Sequence, residues 1–206
     1  MEANAIRTFS NDENLVRERR YQIAEGALQL FVKQGYHQTS IRQIAQAANM
    51  SVGTLYHYIG SKVDILFMGI EDALNKVHDA IESASKIESP KEALDDAIER
   101  FIRAVDDAQD ITVFAYQELR NLKPDVMAGL LDIDKRSAAI FEEIISKGVK
   151  QGEFREVDVQ LAAHDIIVMG HMWAFRRWFL RKHYTLDQYI EYQRRFILNG
   201  ILTVQE

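Results

Sequence analysis

Between residues 51 and 62 the chain carries Ser51, Gly53, Thr54, Tyr56, His57 and Lys62, with Thr39, Ser40 and Arg42 a short distance upstream. Thr39, Ser40, Tyr56, His57 and Lys62 share one chemistry: each is able to bond a phosphate oxygen. Backbone amides at helix starts would add to it. A glycine inside a helix costs roughly 1 kcal/mol relative to alanine. Gly53 therefore makes sense where a backbone must come close to a partner.

Charge is distributed to match. The net charge is −6, which by itself argues against a polyanionic partner. From Arg17 to Lys62, however, six cations (Arg17, Arg19, Arg20, Lys33, Arg42, Lys62) face two anions (Glu18, Glu25), giving +6 − 2 = +4. The other 160 residues hold 19 cations and 29 anions, or −10. A basic head on an acidic body points to a molecule of which one end meets nucleic acid.

The elements that must position these groups are helices. Apolar residues recur at helical spacing almost throughout, and only two prolines interrupt the chain. Ile23, Ala24, Ala27, Leu30 and Phe31 mark a first helix ended by Gly35. Thr39 or Ser40 caps a second, with Ile41, Ile44, Ala45 and Ala48 on one face. After a break at Ala48–Met50, Ser51 caps a third, with Val52, Leu55 and Ile59 inward and Ser51, Gly53, Thr54, Tyr56, His57 and Tyr58 outward. Tyr58 is weighed as a core residue ahead of a contact. Ser61 opens a long fourth helix to about Ile81. Further helices are expected from Lys91 to Asp107, from Asp110 to about Arg120, from Pro124 to Gly152, from Asp158 to His183 and from Thr185 to about Val204. The expectation is an all-α chain: a three-helix helix-turn-helix head (residues 1–62, with an N-terminal arm) and a six-helix body (residues 63–206), bridged by the fourth helix.

Two capped short helices joined by a tight turn form a helix-turn-helix candidate. "GYHQTSIRQIA", "AANMSVGTLY" and "HYIGSKVDIL" together resemble the N-terminal domain of the TetR family of bacterial transcriptional regulators, over about residues 17–70. Ile59 stands where that family usually has phenylalanine. The resemblance implies a homodimeric, ligand-responsive repressor of operator DNA. Carried over by position, Thr39, Ser40 and Arg42 would hold the DNA backbone, Val52, Gly53 and Thr54 would face base edges, and Tyr56, His57 and Lys62 would contact phosphates. The third helix has no Arg, Asn or Gln, so Arg42 is the best candidate for a bidentate guanine contact. Specificity would also lean on thymine methyls and DNA shape.

In the body, "AAHDIIVMGHMWAFRRWFL" and "LDQYIEYQRRFILNGIL" are apolar on more than one face, so each needs two partners. One would be the chain's own body and the other a second subunit, and Gly170 and Ala174, four apart, could allow a close helix approach. "FRRWFLRKHYTLDQY" is similar to a stretch of the acyl-CoA-sensing members of the family. Arg177-Trp178 and Thr185 stand at the matching places, and the basic run Arg176, Arg177, Arg181, Lys182 and His183 could meet CoA phosphates, the competing reading being a solvated basic helix end. Phe101, Phe114, Tyr116, Met172 and Trp173 are candidate pocket residues, set against the alternative of plain core.

No P-loop, nucleophile elbow or dinucleotide fingerprint is present, and an enzyme is a poor reading. No cofactor is expected. His164 and His171 lie two helical turns apart, about 10 Å along the axis, too far to share one metal unaided. Cysteine is absent, no run of about 18 apolar residues occurs, and the first twenty residues lack an apolar signal core. A cytoplasmic location without membrane contact is the expectation. The rival reading is a constitutive DNA-binding protein whose body serves assembly alone.

Overall fold

The computed structural model describes residues 12–118 and 124–203. The expected N-terminal arm and the ends of the helices expected near Arg120 and Val204 lie outside them. Ten α-helices and one 3-10 turn make up the described chain: α1 (Glu13–Gln34), α2 (Ile41–Ala47), α3 (Val52–Tyr56), α4 (Lys62–Glu82), the 3-10 turn Ser83–Lys86, α5 (Pro90–Asp107), α6 (Gln109–Glu118), α7 (Pro124–Lys150), α8 (Val159–Phe175), α9 (Arg177–His183) and α10 (Leu186–Ile201). Extended pairing among the described residues is limited to one antiparallel bridge, Phe154 with Leu202. The all-α expectation holds.

Local chemistry sets the helix starts. Asp12, Ser40, Ser51, Ser61, Ser89, Asp158 and Thr185 each accept a hydrogen bond from a first-turn amide, the capping geometry those residue types favour. Ser40 with Gln43, and Thr185 with Gln188, complete reciprocal capping boxes. Between α2 and α3 the chain reverses through Asn49, at φ 51°, a conformation asparagine tolerates better than most residues.

Two boundaries differ from expectation. α3 ends at Tyr56, because the His57 and Tyr58 amides turn back to the carbonyls three residues earlier, Thr54 and Leu55, at 3.1 and 3.0 Å. The single helix expected from Asp158 to His183 is broken at Arg176 (φ −106°, ψ 20°). The Arg176 carbonyl accepts from both Phe179 and Leu180, each at 2.9 Å, so α9 begins as a new helix. The body, α4 to α10, therefore has seven helices and not six.

Two apolar clusters result. The head cluster is built on Ile23, Ala27, Phe31, Ile44, Leu55 and Ile59, and it also takes Ile65, Leu66 and Ile70 from α4, Phe114 from α6 and Leu130 from α7. The body cluster centres on Ile98, Phe101, Ile102, Phe141, Ile145, Ile167 and Trp173, and it takes Val77 and Ile81 from the far end of α4. α4 is thus a shared beam, its first half packed in the head and its second half in the body.

Candidate functional site

Two sites carry the chemistry: the outer surface of α2 and α3, and a cavity in the body. In the head, Leu55 and Ile59 are fully buried and Val52 is half-buried, which leaves Ser51, Gly53, Thr54, Tyr56 and His57 exposed. Ser51 Oγ accepts from the Thr54 amide at 3.0 Å and lies 2.8 Å from Thr54 Oγ1, so the cap also fixes the threonine rotamer. A Cβ built on Gly53 would meet only Ser51 Oγ, at 3.7 Å. No packing within the described chain requires glycine there. Ser40 and Arg42 are exposed at the start of α2.

Four of the polar groups serve the head itself. Thr39 is 2 % exposed; its hydroxyl donates to the Gly35 carbonyl at 2.8 Å and accepts from Gln34 Nε2 at 3.1 Å. It locks the α1–α2 turn, and Ser40 is the cap of α2. Lys62 Nζ donates to the carbonyls of Tyr36 (2.8 Å) and Thr39 (3.0 Å) and sits 4.1 Å from the centroid of the Tyr36 ring. Partial burial lowers its pKa, opposed by the Glu118 carboxylate. Arg20 Nε donates to the Tyr58 carbonyl at 3.0 Å, holding the end of α3 against α1. Tyr58 is half-buried and packs on the head cluster. Two of the six head cations are therefore bonded to backbone carbonyls.

The body holds a partly open cavity of about 240 Å³. Its walls are Ile70, Ala73, Leu74 and Val77 of α4, Phe101 of α5, Ile111, Thr112, Ala115 and Tyr116 of α6, residues of α7 including Leu130, Asp134 and Ser137, and His164, Ile167 and His171 of α8. Tyr116 Oη and His171 Nδ1 are 3.1 Å apart. Burial, with a contribution from His164, pushes the pKa of His171 down to about 4, so the imidazole is neutral at pH 7. Burial raises the pKa of Asp134, and His164 partly offsets this.

Of the candidate pocket residues, the structure brings Phe101 and Tyr116 to the cavity and places the other five elsewhere. Phe114 turns to the opposite face of α6 and stacks on Phe31 of α1, 5.9 Å between ring centroids. Trp173 is buried, its indole donating to Asp106 Oδ1 at 2.7 Å. Met172 is half-buried and outside the cavity lining, to which α8 contributes residues 164, 167 and 171. Arg176 lies over the Trp178 ring at 4.9 Å, Arg177 pairs with Asp110, and Arg181 pairs with Asp106. Among the described residues the basic run is thus largely engaged by acidic and aromatic neighbours.

Asp134, Ser137 and the two histidines were not assigned to a pocket from sequence. The signal was there: Leu130, Asp134, Ser137 and Phe141 fall at i, i+4, i+7 and i+11, so two polar residues interrupt the apolar stripe of α7. His164 and His171 face the same cavity, yet no group of three metal-ligating side chains occurs among the described residues.

Gly170 serves a close approach within the chain. A Cβ there would collide with the Phe101 ring, so the close approach is between α8 and α5 of the same chain. Ala174 is likewise buried. The outward faces of α8 and α10 instead expose Leu161, Val168, Tyr192 and Phe196, the last two at 65 and 58 %, with their rings stacked 6.1 Å apart. Among the described residues no helix is long and apolar enough to cross a membrane.

Comparison with known proteins accords with this geometry. Two family models match: "Bacterial regulatory proteins, tetR family" over residues 23–67, and "Tetracyclin repressor-like, C-terminal domain" over residues 88–201. The chain is 31 % identical over 204 residues to the HTH-type transcriptional regulator HbdR of Aromatoleum sp. (strain CIB), covering 98 % of this chain and 89 % of that protein. It is 27 % identical over 148 residues to the fatty acid metabolism regulator protein of Bacillus subtilis (strain 168), covering 71 and 76 %. Among solved structures, the TetR family regulator PfmR of Thermus thermophilus superposes with a TM-score of 0.74 at 33 % identity, covering 86 % of this chain and 97 % of that one. AibR, solved in complex with isovaleryl coenzyme A and operator DNA, superposes with a TM-score of 0.74 at 25 % identity, covering 86 and 97 %. Capped helices 2 and 3 with an exposed polar face, a helical body with a cavity, and these matches along nearly the whole chain lead to one conclusion: the protein belongs to the TetR family of bacterial transcriptional regulators.

Proposed function

We infer that the protein is a cytoplasmic, homodimeric repressor that binds operator DNA through α2 and α3 and is released when a small molecule enters the body cavity. The observation that carries this reading is the double engagement of α4. Its first residue, Lys62, is bonded to the Tyr36 and Thr39 carbonyls beside α2, and its Ile70, Ala73, Leu74 and Val77 wall the cavity. A ligand that displaces the middle of α4 moves the end that grips the head. In a dimer this changes the spacing of two recognition helices that must meet half-sites about one DNA turn apart.

Ser51, Gly53, Thr54, Tyr56 and His57, with Ser40 and Arg42, form the proposed DNA surface; Thr39 and Lys62 support it from behind, and Val52 sits at its edge. The exposed Tyr192–Phe196 face, with Leu161 and Val168, supports α8 and α10 as the dimer interface. An acyl-CoA effector is supported by the likeness to AibR, whose structure holds isovaleryl coenzyme A, and by the apolar cavity walls. A constitutive DNA-binding role gives the cavity no part to play.

Selection of a duplex from a random library, followed by fluorescence anisotropy across a salt series, tests the DNA reading. A sequence-specific complex whose log K falls steeply with log salt is expected. Failure to enrich any sequence, or binding insensitive to salt, would remove it.

A further inference from the structure

The cavity is apolar except for polar groups contributed by α6, α7 and α8. The titratable groups that face it are Asp134 from α7, His164 and His171 from α8 and Tyr116 from α6; α4 and α5 supply none. Among the described residues no lysine or arginine lines it. A negatively charged ligand group entering this space would lose its hydration, find no lysine or arginine in the lining, and lie beside the Asp134 carboxyl group. His171 offers it no compensating charge, since burial keeps that imidazole neutral. A ligand cation would share Asp134 with the His164 imidazole, which already lowers the pKa of that carboxyl. An uncharged group faces neither penalty, and it finds the Tyr116–His171 pair, 3.1 Å apart, to exchange a hydrogen bond with. Size adds a second limit. An apolar cavity of about 150 Å³ holds one benzene ring, so a cavity of about 240 Å³ holds roughly ten non-hydrogen atoms by proportion.

We propose that Asp134 is the specificity-determining residue of this cavity, admitting an uncharged group of roughly ten non-hydrogen atoms and rejecting the carboxylate of the same carbon skeleton. The proposal rests on the reading of this cavity as the effector site. It makes the protein a sensor of neutral alcohols, amides or esters, or of the acyl end of a conjugate whose charge stays outside. The corresponding free acid is excluded.

The test is calorimetric titration of the full chain, without DNA, at about pH 7.5 with octan-1-ol, octanoate and octylammonium. Octan-1-ol binds, and octanoate binds at least about tenfold more weakly because its carboxylate is desolvated beside Asp134. In Asp134→Asn, which replaces the half-buried carboxyl with an amide of the same size, the two ligands come within about threefold of each other while octan-1-ol affinity holds. Along the 1-alkanols from butan-1-ol to dodecan-1-ol, affinity rises and then levels at roughly ten non-hydrogen atoms. Equal affinity for octan-1-ol and octanoate in the wild type would overturn the proposal. So would an unchanged ratio in Asp134→Asn, octylammonium binding tighter than octan-1-ol, an unbroken rise to dodecan-1-ol, or no binding by any of them. Because DNA is absent, these outcomes are separate from whether ligand releases the operator.

Discussion

The Lys62 ammonium is held by Tyr36 twice, by its carbonyl at 2.8 Å and by its ring, 4.1 Å from the centroid. A third contact, to the Thr39 carbonyl at 3.0 Å, fixes the turn that starts α2. The first residue of the beam that reaches the cavity is therefore bonded to the loop that aims the DNA-binding helices.

Lys62→Met should loosen that joint. Loss of two charge-assisted hydrogen bonds and a cation–π contact should lower stability by about 1–3 kcal/mol, measured by urea unfolding. DNA affinity should fall, but the slope of log K against log salt should stay unchanged, because the ammonium is bonded to carbonyls. A decrease of about one unit in slope would instead place Lys62 on a phosphate. Arg42→Ala, by contrast, should relax sequence preference; a uniform loss across sequences would make it a backbone contact.

His171 should make the protein acid-sensitive. Its pKa is about 4 in the fold against an ordinary 6.5. Between those values the unfolded chain binds the proton and the folded chain does not, so stability is full above about pH 6.5 and is lost as pH falls toward 4. About 2 kcal/mol should disappear between pH 7.5 and pH 5 from this group. Urea unfolding of wild type and His171→Gln at both values checks it: a slope unchanged in the variant would assign the acid sensitivity to other groups.

The exposed stack of Tyr192 and Phe196 should hold the dimer. Phe196→Glu should weaken association by about 2 kcal/mol or more, roughly thirtyfold, as burying a charge in an apolar interface does. Sedimentation equilibrium reads the shift. Since the side chain is exposed in the single protomer, helicity should be unchanged; an unaltered dimer would move the interface elsewhere.

The head was legible in the sequence because local chemistry writes it: Ser40, Ser51 and Ser61 cap helices wherever they stand, and Leu55 and Ile59 can face only inward. The roles of Lys62 and Thr39 were not legible. Both are typed as phosphate-binding groups, and only the fold brings carbonyls 23 and 26 residues away in sequence to Lys62. The cavity was read in part. Phe101 and Tyr116 were found as aromatics at helical spacing, a property they share with Phe114 and Trp173, which pack on Phe31 and bond Asp106. What separates them is helix rotation about a tertiary contact, which periodicity does not encode. Gly170 shows the same limit: its spacing to Ala174 marks a close approach without naming the helix that approaches.

The coupling of cavity and head is tested most directly by titrating octan-1-ol calorimetrically into the free protein and into its complex with the selected duplex. If cavity and head are linked through α4, reciprocity requires bound DNA to weaken the ligand by the factor with which ligand weakens DNA, on the order of 5–150-fold. Lower affinity in the DNA complex is the expected result. Equal affinity in the two titrations would contradict the linkage and leave the body as an assembly module alone.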